Sequence, residues 1–155
     1  MASPVTLPRT APTRSFLEVY DPEAREKISN DMLDRGADAT VVDHGQNTLT
    51  LLLSHDRLAD SDPALAQRLI DGGADVDFRN SGGDVPIRLA IRVRVDDDEQ
   101  RRPLYEVLFA ANVDLDEPSS VRNPKNEIGK WLRLNVDHQP ERLKVLDEFL
   151  TARGF

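Results

Sequence analysis

Gly73-Ala74-Asp75-Val76-Asp77-Phe78-Arg79-Asn80-Ser81-Gly82-Gly83-Asp84-Val85-Pro86-Ile87-Arg88-Leu89-Ala90 decides how this chain folds. Its first residues close a helix, its middle is turn chemistry, and Val85-Pro86 opens another helix. Gly supplies the positive φ that ends a helix or tightens a turn, and Pro fits the first helical position because no N–H donor is needed there. The opening recurs in frame. Met32-Leu33-Asp34-Arg35-Gly36-Ala37-Asp38 aligns with Leu69-Ile70-Asp71-Gly72-Gly73-Ala74-Asp75, then with Leu108-Phe109-Ala110-Ala111-Asn112-Val113-Asp114, and a last copy is Leu150-Thr151-Ala152-Arg153-Gly154. The glycine-type position falls at 36, 73, 112 and 154, in steps of 37, 39 and 42. Each is expected to be the left-handed C′ residue of a helix. Asn112 fits, because Asn adopts that geometry more cheaply than other side chains.

The segments before these positions have helical period. Residues 22–35 place Ala24, Ile28, Met32 and Leu33 on one stripe, and 63–72 place Leu65, Leu69 and Ile70 on another. Residues 103–111 do so with Leu104, Val107, Leu108 and Ala111. Residues 140–153 do so with Leu143, Val145, Leu146, Phe149 and Leu150. Asp21-Pro22, Asp62-Pro63 and Asn123-Pro124 read as helix starts, an acceptor side chain followed by proline. Gln139-Pro140 is a weaker version. Residues 91–95 alternate with period two. The repeat frame makes 85–92 helical and lets 93–95 leave the helix.

The frame resembles the ankyrin repeat: a helix ending in Gly-Ala-Asp, a β-turn with Asp and Gly, then a Thr-Pro-Leu-His-x-Ala motif opening the next helix. Val85-Pro86-Ile87-Arg88-Leu89-Ala90 occupies that motif, and Asn47-Thr48-Leu49-Thr50-Leu51-Leu52 takes its place one repeat earlier, after a turn at Asp43-His44-Gly45-Gln46. In the third copy, 116–123 lengthen the finger and 124–132 supply the helix. The family's His is replaced by Thr50 and Arg88, and the steps exceed the family's roughly 33 residues. The excess falls at 55–61, at 96–102 and in the third finger. The resemblance spans about 20–154. It implies an all-α, ankyrin-type α-solenoid of about three full repeats plus terminal capping helices, with finger turns between helix pairs. Residues 15–155 would form that single domain behind a flexible N-terminal tail, 1–14. Stacked neighbours would bury a continuous apolar strip that no single helix pair can cover.

Composition excludes several functions. With no Cys among 155 residues there are no disulfides, thiolate zinc sites or thiol nucleophiles. Against 20 Lys+Arg stand 28 Asp+Glu, and the net charge of −8 repels a phosphate backbone. Aromatics, at 5%, are too few for base stacking. No segment holds the roughly 20 apolar residues of a membrane helix.

Catalytic motifs are missing as well. His44, His55 and His138 show no zinc spacing and read as surface turn histidines. No GxSxG elbow, GxxxxGK[ST] or GxGxxG occurs. Asp96-Asp97-Asp98-Glu99 lacks the spacing of a calcium loop and reads as a solvated loop beside a helix start. Asp38, Asp75 and Asp114 recur with the repeat and read as caps of their own turns.

A surface remains. In ankyrin-like proteins partner contacts flank the finger turn and follow the second motif. Carried over, this names Val42, His44 and Gln46 on the first finger and Phe78, Arg79, Ser81 and Asp84 on the second. From the helices it names Ser54, His55, Arg92 and then Arg94. The expectation is a non-catalytic, cofactor-free, monomeric cytoplasmic module that binds another protein with a basic surface, as an inhibitor, immunity-like protein or adaptor. Neither nucleic acid nor membrane is expected as partner. Two other classes rank below it: an acidic regulator that imitates nucleic acid, and a metal-dependent or carboxylate hydrolase.

Overall fold

Proline and the glycine-type residues set where the helices begin and stop. A computed structural model describes residues 16–122 and 124–155. The predicted tail, 1–14, and Asn123 lie outside them. Helix α1 (Pro22–Asp34) starts as expected, with the Asp21 carboxylate accepting the Ala24 N–H at 2.9 Å. A two-stranded antiparallel ribbon follows, β1 (Val42–Asp43) against β2 (Gln46–Asn47), with His44 and Gly45 at positive φ in its turn. It qualifies the all-α expectation: the fold is mostly helical with this one small sheet among the described residues. Next come α2 (Thr48–Leu52), α3 (Asp62–Asp71), α4 (Pro86–Ala90), a 3₁₀ turn (Asp98–Arg101), α5 (Arg102–Ala110), α6 (Ile128–His138) and α7 (Lys144–Ala152).

The four helix stops share one geometry. Gly36, Gly73, Asn112 and Gly154 have φ of 95°, 103°, 60° and 88°. At each the C′ N–H returns to the carbonyl three residues back, and the next N–H to the carbonyl five back. At Gly73 these bonds are Gly73 N to Ile70 O, 2.9 Å, and Ala74 N to Leu69 O, 3.0 Å. This satisfies carbonyls the helix end would otherwise orphan. Just beyond, Asp38, Asp75 and Asp114 each accept the N–H two residues on at 2.9 Å. They are the turn caps expected of them. A Gly73→Val substitution forces a β-branched residue to φ 103° and brings its Cβ to 2.9 Å from Thr40 Cγ2. We expect a loss of about 1–3 kcal/mol in urea unfolding.

Consecutive helices pack in pairs: α2 on α3, α4 on α5, α6 on α7. Alternate helices also touch in series, α1 to α3, α3 to α5, α5 to α7, and α2 touches α4. One hydrophobic cluster runs through all of them, from Phe16 and Leu17 through Leu49, Leu69, Ile87 and Leu108 to Leu132, Leu146 and Leu150. Leu108 is fully buried, so Leu108→Ala should cost about 2–5 kcal/mol in the same measurement.

Three charged residues depart from the expected pattern. On α1 the buried positions are Arg25 and Ser29, while Ile28 is 42% exposed. Arg25 grips Asp62 with Nη2 at 3.1 and 3.2 Å and gives Nη1 to the Val19 and Tyr20 carbonyls. Asp62 therefore does not cap α3; its helix starts from Ser61 without a side-chain cap, and the Asp62 carboxylate also takes the Ala59 N–H. The acidic run at 96–99 is not wholly solvated either. Asp98 is buried between Arg101 (3.0 Å), the Tyr105 hydroxyl (2.8 Å) and the Val145 and Leu146 N–H groups of α7 (2.8 and 3.1 Å). It caps a helix 47 residues away. Burial, then the Asp98 charge, pushes the Tyr105 hydroxyl well above its ordinary pKa.

Other boundaries shift. Helix α6 starts at Ile128, not at Pro124, because the backbone of 126–129 is tied to the third finger: Ser119 N to Asn126 O, Ile128 N to Glu117 O and Gly129 N to Leu115 O. The last helix begins at Lys144, four residues after Pro140, where Asp98 supplies the cap. Helix α4 stops at Ala90, so residues 91 and 92, expected to be helical, leave it together with 93–95. Arg94 forms a parallel bridge with Arg57, its N–H on Asp56 O and its carbonyl on the Leu58 N–H.

Candidate functional site

The three fingers stand side by side, joined by hydrogen bonds. Ser81 N donates to Gly45 O at 2.9 Å, Asn80 Nδ2 to Gln46 Oε1 at 3.2 Å and Asn47 Nδ2 to the Asp75 carbonyl at 2.9 Å. The second finger reaches the third through Arg79 Nη2 on Pro118 O (2.5 Å), Asp114 N on Asp77 Oδ1 (2.8 Å) and Arg88 Nη1 on Ser119 O. Thr50, at the first family His position, instead closes a capping box with Asn47. Arg88, at the second, is a cross-finger tie. Burial, then the neighbouring carboxylates Asp75 and Asp114, holds the Asp77 carboxyl above its usual range against the opposing Asp114 N–H.

The residues named from the sequence divide into two groups. Val42, His44, Gln46, Phe78, Arg79, Ser81 and Asp84 lie on the finger row. Val42 is 51% exposed, His44 is exposed at the turn with Nδ1 2.9 Å from Asp43, and Phe78 is half-buried. Arg92 joins this group: both it (3.0 Å) and Arg88 (3.4 Å) pair with Asp84. Ser54 and His55 lie apart, at the far end of α2. Ser54 Oγ bonds the Thr50 carbonyl, and His55 Nε2 lies 2.6 Å from Leu17 O with Tyr20 edge-on to its ring. So His55 is half-buried and partnered, and His138 is the last residue of α6 rather than a turn residue. Arg94 pairs with Asp56, away from the fingers.

The sequence did not single out Trp131 or Val121. Arg88 lies over the Trp131 ring, 4.4 Å from its centroid, and burial lowers the guanidinium's pKa. Val121, 74% exposed on the third finger, faces the same cleft of about 410 Å³ as Ser81, Asp84, Arg88 and Arg122. The cleft lining carries two guanidinium groups, Arg88 and Arg122, against one carboxylate, Asp84, and that carboxylate is already paired with Arg88 and Arg92. This cationic patch sits in a chain of net charge −8. A stacked Arg–Trp pair is attractive by about 0.5–2 kcal/mol and holds both side chains in fixed orientation. The signal available in the sequence was Arg88 itself, a cation in a motif position whose short helix faces the fingers.

Among the described residues no three His, Cys, Asp or Glu side chains gather as a metal site would, and no helix is long and apolar enough to cross a membrane. Compared with known proteins, the chain matches no family model and no curated protein.

Proposed function

We propose that the chain is an ankyrin-type repeat module that binds a partner protein on its finger row and the adjoining helices α2, α4 and α6. The observation that carries this reading is the recurrence of one unit: helix, left-handed C′ residue, Asp-capped turn, finger, second helix, with each finger bonded to the next. Serial packing of α1, α3, α5 and α7 supports a solenoid, in which each unit touches only its neighbours. A scaffold already fixed by such bonds loses little ordering entropy when it binds. Val42 and Val121 give the row exposed apolar contacts, and its hydrogen bonds hold them in position. The net charge of −8 draws a basic partner from a distance, but screening limits this to about 8 Å at physiological salt. At contact, the finger arginines set the local preference.

The test is capture on immobilised protein from lysate of cells that naturally make it, with the retained protein purified and its binding measured directly. Val42→Asp combined with Val121→Asp should weaken that binding at least about tenfold, since an anchor residue is worth more than about 1 kcal/mol. Glu106→Lys, exposed on α5, should leave it unchanged. Equal binding by both variants, or no retained protein above background at low salt, would overturn the reading.

A further inference from the structure

The cleft between the second and third fingers is built differently from the rest of the surface. Arg88 forms its inner wall. Its side chain is largely covered, its Nη1 is bonded to the Ser119 carbonyl and its plane lies over Trp131. Its Nε is buried without a hydrogen bond, 3.4 Å from Asp84 Oδ1. Asp84 is shared between Arg88 and Arg92, so one carboxylate faces two guanidinium groups. On the opposite wall Arg122 and the exposed Val121 line the same space, with Ser81 and Ser120 at its sides. The arginines here are the forked donors that suit carboxylates, and desolvation by Trp131 and the finger backbones strengthens a charged hydrogen bond made inside.

We infer that this cleft receives an acidic side chain of the partner protein, its carboxylate between Arg88 and Arg122 and a neighbouring apolar side chain on Val121. The inference rests on the protein-binding reading above and names the chemistry of the contact. A protein carboxylate fits better than a nucleic-acid backbone. The patch is one cleft wide, whereas a phosphate chain would have to continue over a surface of net charge −8.

Trp131 is the one tryptophan in the chain, so its emission reports on this cleft directly. The probe is a soluble peptide of alternating Glu and Leu, acetylated and amidated so that only side-chain carboxylates are offered. Its partner probe has every Glu replaced by Gln. The Glu peptide should change Trp131 emission saturably and shift the Trp131 indole N–H and Arg88 Nε–H resonances. The Gln peptide should bind at least about tenfold more weakly. Arg122→Gln, at an exposed side chain of the cleft, should weaken the Glu peptide by a similar factor, and Arg57→Gln, on another face, should not. Equal affinity for the two peptides, absence of any shift, or weakening by Arg57→Gln equal to that of Arg122→Gln would overturn the inference. So would inorganic phosphate saturating the signal at the same concentration, which would mean a simple anion hole. Tighter binding of oligothymidylate would also overturn it, in favour of nucleic acid. If the peptide arms fail while Val42→Asp with Val121→Asp still abolishes partner binding, only the carboxylate is lost. If partner capture fails, the protein-binding reading falls independently.

Discussion

Asp98→Ala should lower the unfolding free energy by about 3–5 kcal/mol, the cost of removing one partner of a buried ion pair. The substitution leaves the Arg101 guanidinium buried, with only the Ile91 and Val93 carbonyls to accept from it. It also orphans the Tyr105 hydroxyl and the Val145 and Leu146 N–H groups. An ordinary lost N-cap costs about 1 kcal/mol, and this cap closes α7 onto the 3₁₀ turn as well. Asp98→Asn is the discriminating control. Its amide oxygen still accepts one N–H, but the side chain no longer neutralises Arg101, so its loss should fall between wild type and Ala. Asp98→Ala within about 1 kcal/mol of wild type in urea unfolding would show that water or rearrangement replaces the carboxylate, and that Asp98 does not hold α7 in place.

Residues such as Asp98 mark where the sequence stops being legible. The four helix stops could be read in advance because their chemistry is local. A Gly or Asn at C′ and an Asp two residues later need only their own backbone, and φ values of 60–103° with three 2.9 Å turn bonds follow. The first-finger turn at 43–46 was legible for the same reason. Periodicity assigns charges to solvent, and it fails where a charge finds its partner far along the chain. Arg25 meets Asp62 across 37 residues and Asp98 meets Val145 across 47, so neither end announces its burial. On α1 this turned the expected stripe, with Arg25 inward and Ile28 outward. Val42, Gln46, Arg79, Ser81 and Asp84 lie on the fingers, and Arg92, named from a helix, reaches them through Asp84. Trp131 was missed because its stacking on Arg88 spans 43 positions and three elements. Pro124 failed as a helix start because the third finger claims the backbone that follows it.

Arg25→Ala is the other large effect, again about 3–5 kcal/mol, and its spatial pattern matters more than its size. Arg25 is the only described side chain that bonds the Val19 and Tyr20 carbonyls while neutralising Asp62. Its loss strands a buried carboxylate with the Ala59 N–H. Arg25→Met with Asp62→Leu removes both charges and should recover at least half of the loss, because the penalty comes from the unpaired ion. Hydrogen exchange then separates two architectures. If the helices form an array in which each unit leans only on its neighbours, opening free energy falls locally and the disturbance fades along the chain. Exchange in Arg25→Ala should rise most in α1, which packs on α3, and least in α7. Asp98→Ala should show the reverse gradient, strongest in α7 and weakest in α1. A single cooperative core would instead lose protection evenly in both variants. Even loss would refute the stacked-repeat reading, and with it the physical reason for treating the finger row as a continuous binding surface.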